Sequence, residues 1–158
     1  MTAFIREFDE KGLESLAAQL AVLLQAGDFI GLSGTLGAGK SVFCRALIQT
    51  LCGKDCRVPS PTFTLVEPYE IEHTTLWHAD FFRLSSPEEA LEAGWHEMLT
   101  GISLVEWPEK ITPLLPAHRL MLQLDILPDF YKRLCTITAH GLRADSLLQR
   151  LQEKTIAN

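Results

Sequence analysis

No apolar run in this sequence approaches the length needed to span a bilayer. The opening stretch, Met1 to Glu14, is polar and mixed in charge and does not read as a secretion signal, so the expected location is the cytoplasm. Cysteine is scarce. Four residues (Cys44, Cys52, Cys56 and Cys135) in 158 do not make a disulfide framework, which suits reduced thiols. Cys52 and Cys56 resemble half a metal site, but no other Cys/His pair lies nearby in sequence, and they read as structural. Positive charge is also short: 14 Lys+Arg against 20 Asp+Glu give a net charge of −6. Affinity for a nucleic-acid backbone comes mainly from cationic contacts to phosphate, so any RNA is expected on a partner protein. An NKxD guanine-reading motif is absent. So is an arginine-rich lid of the kind that clamps a transferring phosphoryl group in small-molecule kinases; Arg119, Arg133 and Arg143 are scattered. Repeats, low-complexity tracts and linkers are missing too, which predicts one domain over residues 1–158.

What is present is a sizeable apolar fraction, 47%, enough for a core. Leu16, Leu20, Leu23 and Leu24 predict an amphipathic helix over Glu14 to Gln25, closed near Gly27. Phe29 to Leu32 reads as a buried strand. Lys40 to Leu51 reads as a helix with Phe43, Leu47 and Leu51 on one stripe, stopped at Gly53. Pro59 and Pro61 break any helix that follows, and Thr62 to Val66 is a strand or an extended loop. Thr74 to Ala79 predicts a strand running into Asp80, Pro87 to Leu99 a helix, and Ile102 to Val105 a strand ending at Glu106. Leu120 to Ile126 and Leu134 to Ala139 predict two strands paired antiparallel, and Arg143 to Glu153 a last helix. Alternating strands and helices followed by clustered strands predict an α/β fold: a mixed, mostly parallel central sheet flanked by helices, with antiparallel C-terminal strands.

The segment Gly34-Thr35-Leu36-Gly37-Ala38-Gly39-Lys40-Ser41 matches the P-loop pattern GxxxxGK[ST] without a gap. Glycines permit backbone conformations that a Cβ would block, so the loop's N–H groups can turn inward around phosphate oxygens. The helix starting at Lys40 adds its positive dipole end. Lys40 brings a charge to the β- and γ-phosphates, and Ser41 brings a hydroxyl to Mg²⁺. The expected ligands are therefore ATP and Mg²⁺.

Mg²⁺ in such proteins draws a carboxylate from the end of another buried strand. Asp80 and Glu106 both fit, each following an apolar strand. One would hold the metal while the other orients or activates the attacking water, and the sequence leaves the assignment open. Thr62 and Thr64, in Ser60-Pro61-Thr62-Phe63-Thr64, read equally as a γ-phosphate-sensing switch or as a capped turn. Trp77 and His78 read as core or supporting residues, and Trp107, directly after Glu106, as packing.

Taken together, the P-loop, Ser60-Pro61-Thr62-Phe63-Thr64-Leu65-Val66-Glu67-Pro68-Tyr69, His78-Ala79-Asp80-Phe81-Phe82-Arg83-Leu84 and Leu104-Val105-Glu106-Trp107-Pro108-Glu109 resemble the bacterial TsaE (YjeE) family, from about Asp9 to Gly141. The resemblance implies a single small P-loop domain with weak intrinsic ATPase activity. It implies action with the TsaD–TsaB complex, which transfers a threonylcarbamoyl group to the adenosine following the anticodon in tRNAs that read ANN codons. The ATPase does not make that bond; its hydrolysis supports turnover, and tRNA is met only indirectly. Carried over, Lys40 and Ser41 contact nucleotide and Mg²⁺, Thr62 lies in the switch-like loop, and Asp80 is the Walker-B-like acid. Glu106 becomes a metal-linked catalytic acid, and Trp107 belongs to the functional EWP motif. Catalysis is thereby expected from Glu106, Asp80 and Lys40, and metal binding from Ser41, Asp80 and Glu106.

The sequence departs from that family twice. Thr35 stands where the family usually has Asp, which removes a charge beside the phosphates. Asp9-Glu10-Lys11-Gly12-Leu13 lacks the Thr that family members often place near the adenine. Arg133 corresponds to a basic residue near the base. Two rival readings fit the P-loop as well: a small-molecule kinase, and a nucleotide-gated adaptor that does not itself hydrolyse appreciably.

Overall fold

The structure is a computed structural model and describes residues 2–157. Seven strands form one sheet: β1 (Thr2–Phe8), β2 (Phe29–Ser33), β3 (Val66–Ile71), β4 (Thr74–Asp80), β5 (Ile102–Glu106), β6 (Arg119–Ile126) and β7 (Arg133–His140). Their order is β1-β7-β6-β2-β5-β4-β3. The central strands β6, β2, β5 and β4 run parallel. The flanks are antiparallel: β7 on β6, β1 on β7, and β3 on β4.

Side-chain alternation along the strands divides the core in two. Ile30 and Leu32 of β2, with Leu104 of β5, face α1 (Glu10–Ala21), α2 (Lys40–Cys52) and α5 (Leu142–Ala157). Phe29 and Val105 point the other way and pack with Phe81, Trp95 and Met98 under α3 (Glu88–Glu92) and α4 (Trp95–Met98). On that second face Gly31 lets Met121 and Pro108 close over β2: a Cβ there would lie 2.7 Å from the Met121 sulfur.

Four expected elements are redrawn. The first helix runs Glu10–Ala21 rather than Glu14 to Gln25, because the Asp9 side chain accepts from Gly12 N at 2.7 Å and caps it. The helix expected over Pro87 to Leu99 is two short ones, parted at Gly94, whose φ of 98° no right-handed helix contains. Between Thr62 and Val66 the chain makes a turn, and the strand begins only at Val66. The last helix extends beyond Arg143 to Glu153 at both ends; near its C-terminus Thr155 donates to Leu151 O at 2.8 Å and to Gln19 of α1 at 3.1 Å. The sequence reading missed β1, an edge strand whose residues are mostly exposed and carry no alternation. It also missed the 3₁₀ segment Pro108–Leu114.

Candidate functional site

Three central parallel strands end side by side. β2 runs into the glycine loop, β4 ends at Asp80 and β5 at Glu106. Leu32 pairs with Glu106, and Glu106 with Asp80, so the two acids occupy adjacent register positions beside the loop. The ladder continues past the strand ends: Trp107 N donates to Leu32 O at 3.1 Å and Phe81 N to Glu106 O at 3.1 Å. The carboxyl edge of an open parallel sheet is where ligands collect in this architecture.

The loop from Gly34 to Gly39 depends on its glycines. Gly34, Gly37 and Gly39 have φ of 151°, 81° and 108°, and a Cβ on Gly34 would stand 2.6 Å from the Leu124 carbonyl oxygen. Ala38 N donates to Thr35 O at 3.0 Å, which closes the loop into a turn. Lys40 turns its ammonium into the hollow, donating to the carbonyls of Gly34 and, at 3.0 Å, of Thr35. The Trp107 ring covers that ammonium at 4.4 Å from its centroid, a cation–π contact, and Phe82 packs on the same ring at 4.8 Å. Trp107 is held for this in a left-handed conformation, φ 59°. Burial lowers the Lys40 pKa, while Glu106, Glu109 and Asp80 act in the opposite direction. Glu109 is itself tied to β2 by Ser33, whose hydroxyl donates to it at 2.7 Å.

The turn preceding β3 docks onto Asp80. Thr62 Oγ1 donates to Asp80 Oδ2 at 3.0 Å and Phe82 N to Oδ1 at 3.0 Å, so both carboxylate oxygens are engaged. Asp80 N donates to Leu65 O at 2.9 Å, and Leu65 adopts φ 67° to permit it. Glu106 is bonded from behind by His78, Nε2 to Oε2 at 2.8 Å. The buried Cys44 thiol lies within 4.8 Å of ligand atoms on both, and burial pushes its pKa well up, so it is a neutral neighbour.

Lys40, Asp80, Glu106, Thr62 and Trp107 thus converge, with the exposed Ser41 on the first turn of α2. Arg133 stands on another side of the loop. Its Nε donates to Ala38 O at 3.0 Å and its terminal nitrogens to Gly37 O at 3.3 Å and Phe130 O at 3.1 Å. There it lines a cleft of about 740 Å³ between the Asp9–Glu14 segment and the aromatic pair Phe130 and Tyr131, floored by Gly37 and Gly39. Thr35 and Leu36 lie exposed at the loop tip. The sequence reading missed the contributions of Ser33, Cys44, Phe82, Glu109 and the Phe130–Tyr131 pair. A signal was available for Glu109 and Phe82, which lie inside the quoted LVEWPE and His78 to Leu84 stretches; Ser33 is brought in at the end of β2, Cys44 by the packing of α2 on the sheet, and the Phe130–Tyr131 pair by a hairpin tip.

The donor set suits the expected groups. Hard carboxylate and hydroxyl oxygens match Mg²⁺, and a glycine cradle with a central ammonium matches phosphate. Fold and site together define a protein of the P-loop NTPase class. Comparison with known proteins narrows this. Residues 8–133 match the family described as threonylcarbamoyl adenosine biosynthesis protein TsaE. The tRNA threonylcarbamoyladenosine biosynthesis protein TsaE of Rickettsia bellii is 42% identical over 130 residues, 82% of this chain and 90% of that protein. Its namesake from Rickettsia felis is 41% identical over 145 residues, 91% of this chain and 84% of that protein. The crystal structure of Bacillus subtilis YdiB superposes with a TM-score of 0.81 at 27% identity, covering 97% of this chain and 96% of that one. The chain belongs to the TsaE family.

Proposed function

We propose that this protein binds ATP with Mg²⁺ and hydrolyses the ATP in support of the TsaD–TsaB complex as it forms threonylcarbamoyladenosine next to the anticodon. The observation that carries the reading is the placement of Asp80 and Glu106 in adjacent register beside a lysine-filled glycine loop. The loop amides and Lys40 would hold the triphosphate, with the base in the cleft beside Phe130, Tyr131 and Arg133. Ser41 and Asp80 are the residues to hold Mg²⁺, which neutralises phosphate charge when bound. Glu106 is the group to orient the attacking water and accept its proton, and the Trp107 ring, backed by Phe82, covers the neighbouring Lys40 ammonium. The net charge of −6 supports a protein that leaves tRNA to its partners. Among the described residues no helix is long and apolar enough to cross a membrane, and the cysteines are free thiols, which suits work in the cytoplasm.

Calorimetric titration of ATP with Mg²⁺, paired with a phosphate-release assay with and without TsaD–TsaB, tests the reading. Wild-type protein should bind ATP and release phosphate faster with the pair present. Lys40→Ala should weaken binding by about tenfold or more, since a charge-assisted phosphate contact contributes about 1.5–3 kcal/mol. Undiminished affinity in that variant counts against the site. Phosphate recovered on a small-molecule acceptor would instead make the protein a kinase, and tight binding with no release even in the complex would make it an adaptor.

A further inference from the structure

We propose that His78 is a positioning residue for Glu106, holding one carboxylate oxygen so that the other is presented to the loop. This rests on the hydrolysis reading above. The strand register sets up the pair. His78 and Asp80 are two apart on β4 and share a face, opposite Leu104 and Glu106 on β5. That face looks toward α2, from which Cys44 closes the space behind the pair. The imidazole reaches forward along the sheet, and Nε2 meets Oε2 at 2.8 Å with His78 only 2% and Glu106 5% exposed.

The two acids are held very differently. Asp80 is fixed by two bonds, from the Thr62 hydroxyl and the Phe82 amide. Among the described residues the Glu106 side chain has a single hydrogen bond, the one to His78. Its backbone is locked by the ladder, since Phe81 N donates to its carbonyl, but the side chain has three torsions of its own. His78 is therefore the hydrogen-bond partner that selects a rotamer for the carboxylate, taking Oε2 and leaving Oε1 without one among the described residues.

The tautomer of His78 follows from its surroundings. His78 Nδ1 is buried without a partner. With the proton on Nε2, Nδ1 is a bare acceptor; with the tautomer reversed, a buried N–H would be orphaned and two lone pairs would face each other across 2.8 Å unless Glu106 were protonated. The arrangement with the fewest unmet donors is the tautomer that donates from Nε2 to Glu106 Oε2. A residue present only to fill the core would not need this. The site is lined by Leu76, Leu104 and Cys44, and an aliphatic side chain would pack there without burying a polar ring.

The test uses the full-length chain with TsaD–TsaB present and compares His78→Leu, His78→Gln and His78→Asn. Gln carries an N–H₂ donor at about the reach of Nε2; Asn stops at the reach of Nδ1. Three quantities are read for each: ATP affinity by calorimetry, kcat for phosphate release, and melting temperature. His78→Leu should lower kcat by about 10- to 100-fold, the usual effect of losing an orienting partner, while ATP affinity stays within about threefold. Gln should restore most of kcat and Asn should not. In a Glu106→Ala background His78→Leu should cost nothing further. A His78→Leu enzyme at wild-type kcat overturns the proposal. So do Gln and Asn variants that fall equally and in step with their melting temperatures, or a full additive loss in the double variant. If instead Glu106→Ala matches wild type in phosphate release, the hydrolysis reading itself has failed and the role of His78 falls with it. A Glu106→Ala loss together with an unaffected His78→Leu sinks only the inference.

Discussion

Asp80 engages both carboxylate oxygens within the protein, and one of them binds the turn that carries Thr62. A metal held by Asp80 would share its carboxylate with that hydroxyl, so the turn and the site are linked through one side chain. Ser60 reinforces the link, its hydroxyl 2.7 Å from that of Thr62. Thr62→Val keeps the shape and removes the donor. It should reduce stability by about 1–3 kcal/mol, because the hydroxyl's bonds to Asp80 and Ser60 are both lost, and should lower phosphate release several-fold more than ATP affinity. Urea unfolding and the release assay read the two effects separately; a turn that matters only structurally would move the first and leave the second alone. Lys40 and Trp107 show a related economy. A non-glycine residue at φ 59° is strained, and the strain places an indole over the one buried ammonium of the loop.

Among the elements, α5 is tied to the start of β2 by a side-chain fork. Arg143 donates from Nε to Asp28 Oδ1 at 2.9 Å and from a terminal nitrogen to Oδ2 at 2.7 Å, and also to Leu23 O at 2.9 Å. Asp28 is 5% exposed and receives Gln25 N as well, so the link gathers the α1–β2 connection, the sheet and the last helix. Bidentate pairing with Asp28 raises the Arg143 pKa further. Arg143→Ala leaves a buried carboxylate without its cation and should destabilise the fold by about 3 kcal/mol, seen as a lower urea midpoint at unchanged slope. Arg143→Lys should cost less, because the charge survives while the fork does not. The break between α3 and α4 belongs to the same scale. A helical pattern in sequence was legible over Pro87 to Leu99, but Gly94 sits in it at φ 98° and turns the chain so that Trp95 meets Phe29 edge-on at 5.8 Å.

For the whole molecule, pH acts through groups that burial keeps protonated. Burial pushes the Cys135 thiol from 9.0 up to about 12 and Tyr69 from 10.0 up to about 12. Between those limits the unfolded chain has released protons that the native protein still binds, so stability falls as pH rises. Each group contributes a slope of about 1.4 kcal/mol per pH unit at most inside its window. Urea midpoints should stay level from about pH 7 to about pH 9 and then decline, and Cys135→Ala should make the decline shallower. A decline of equal steepness in that variant would assign the alkaline loss elsewhere.

The residues alone determined a good deal. The glycine loop, the helix after it, the two acids at strand ends and the antiparallel hairpin of β6 and β7 were all readable, because each is a local pattern written in consecutive residues. Apolar runs bounded by glycine or an acid give strands, and GxxxxGKS has few other uses. Only tertiary structure decided the rest. Edge strand β1 has no alternation to read and exists because β7 offers it hydrogen bonds. The bond from His78 to Glu106 depends on β4 lying beside β5 in one particular register, and a slip of one residue would point His78 to the other face. Trp107 reads in sequence as packing, and it becomes a lid over Lys40 through a left-handed backbone that the EWP residues do not announce. Local chemistry is written in order along the chain, whereas which groups face each other is set by strand register and packing between residues far apart in that order.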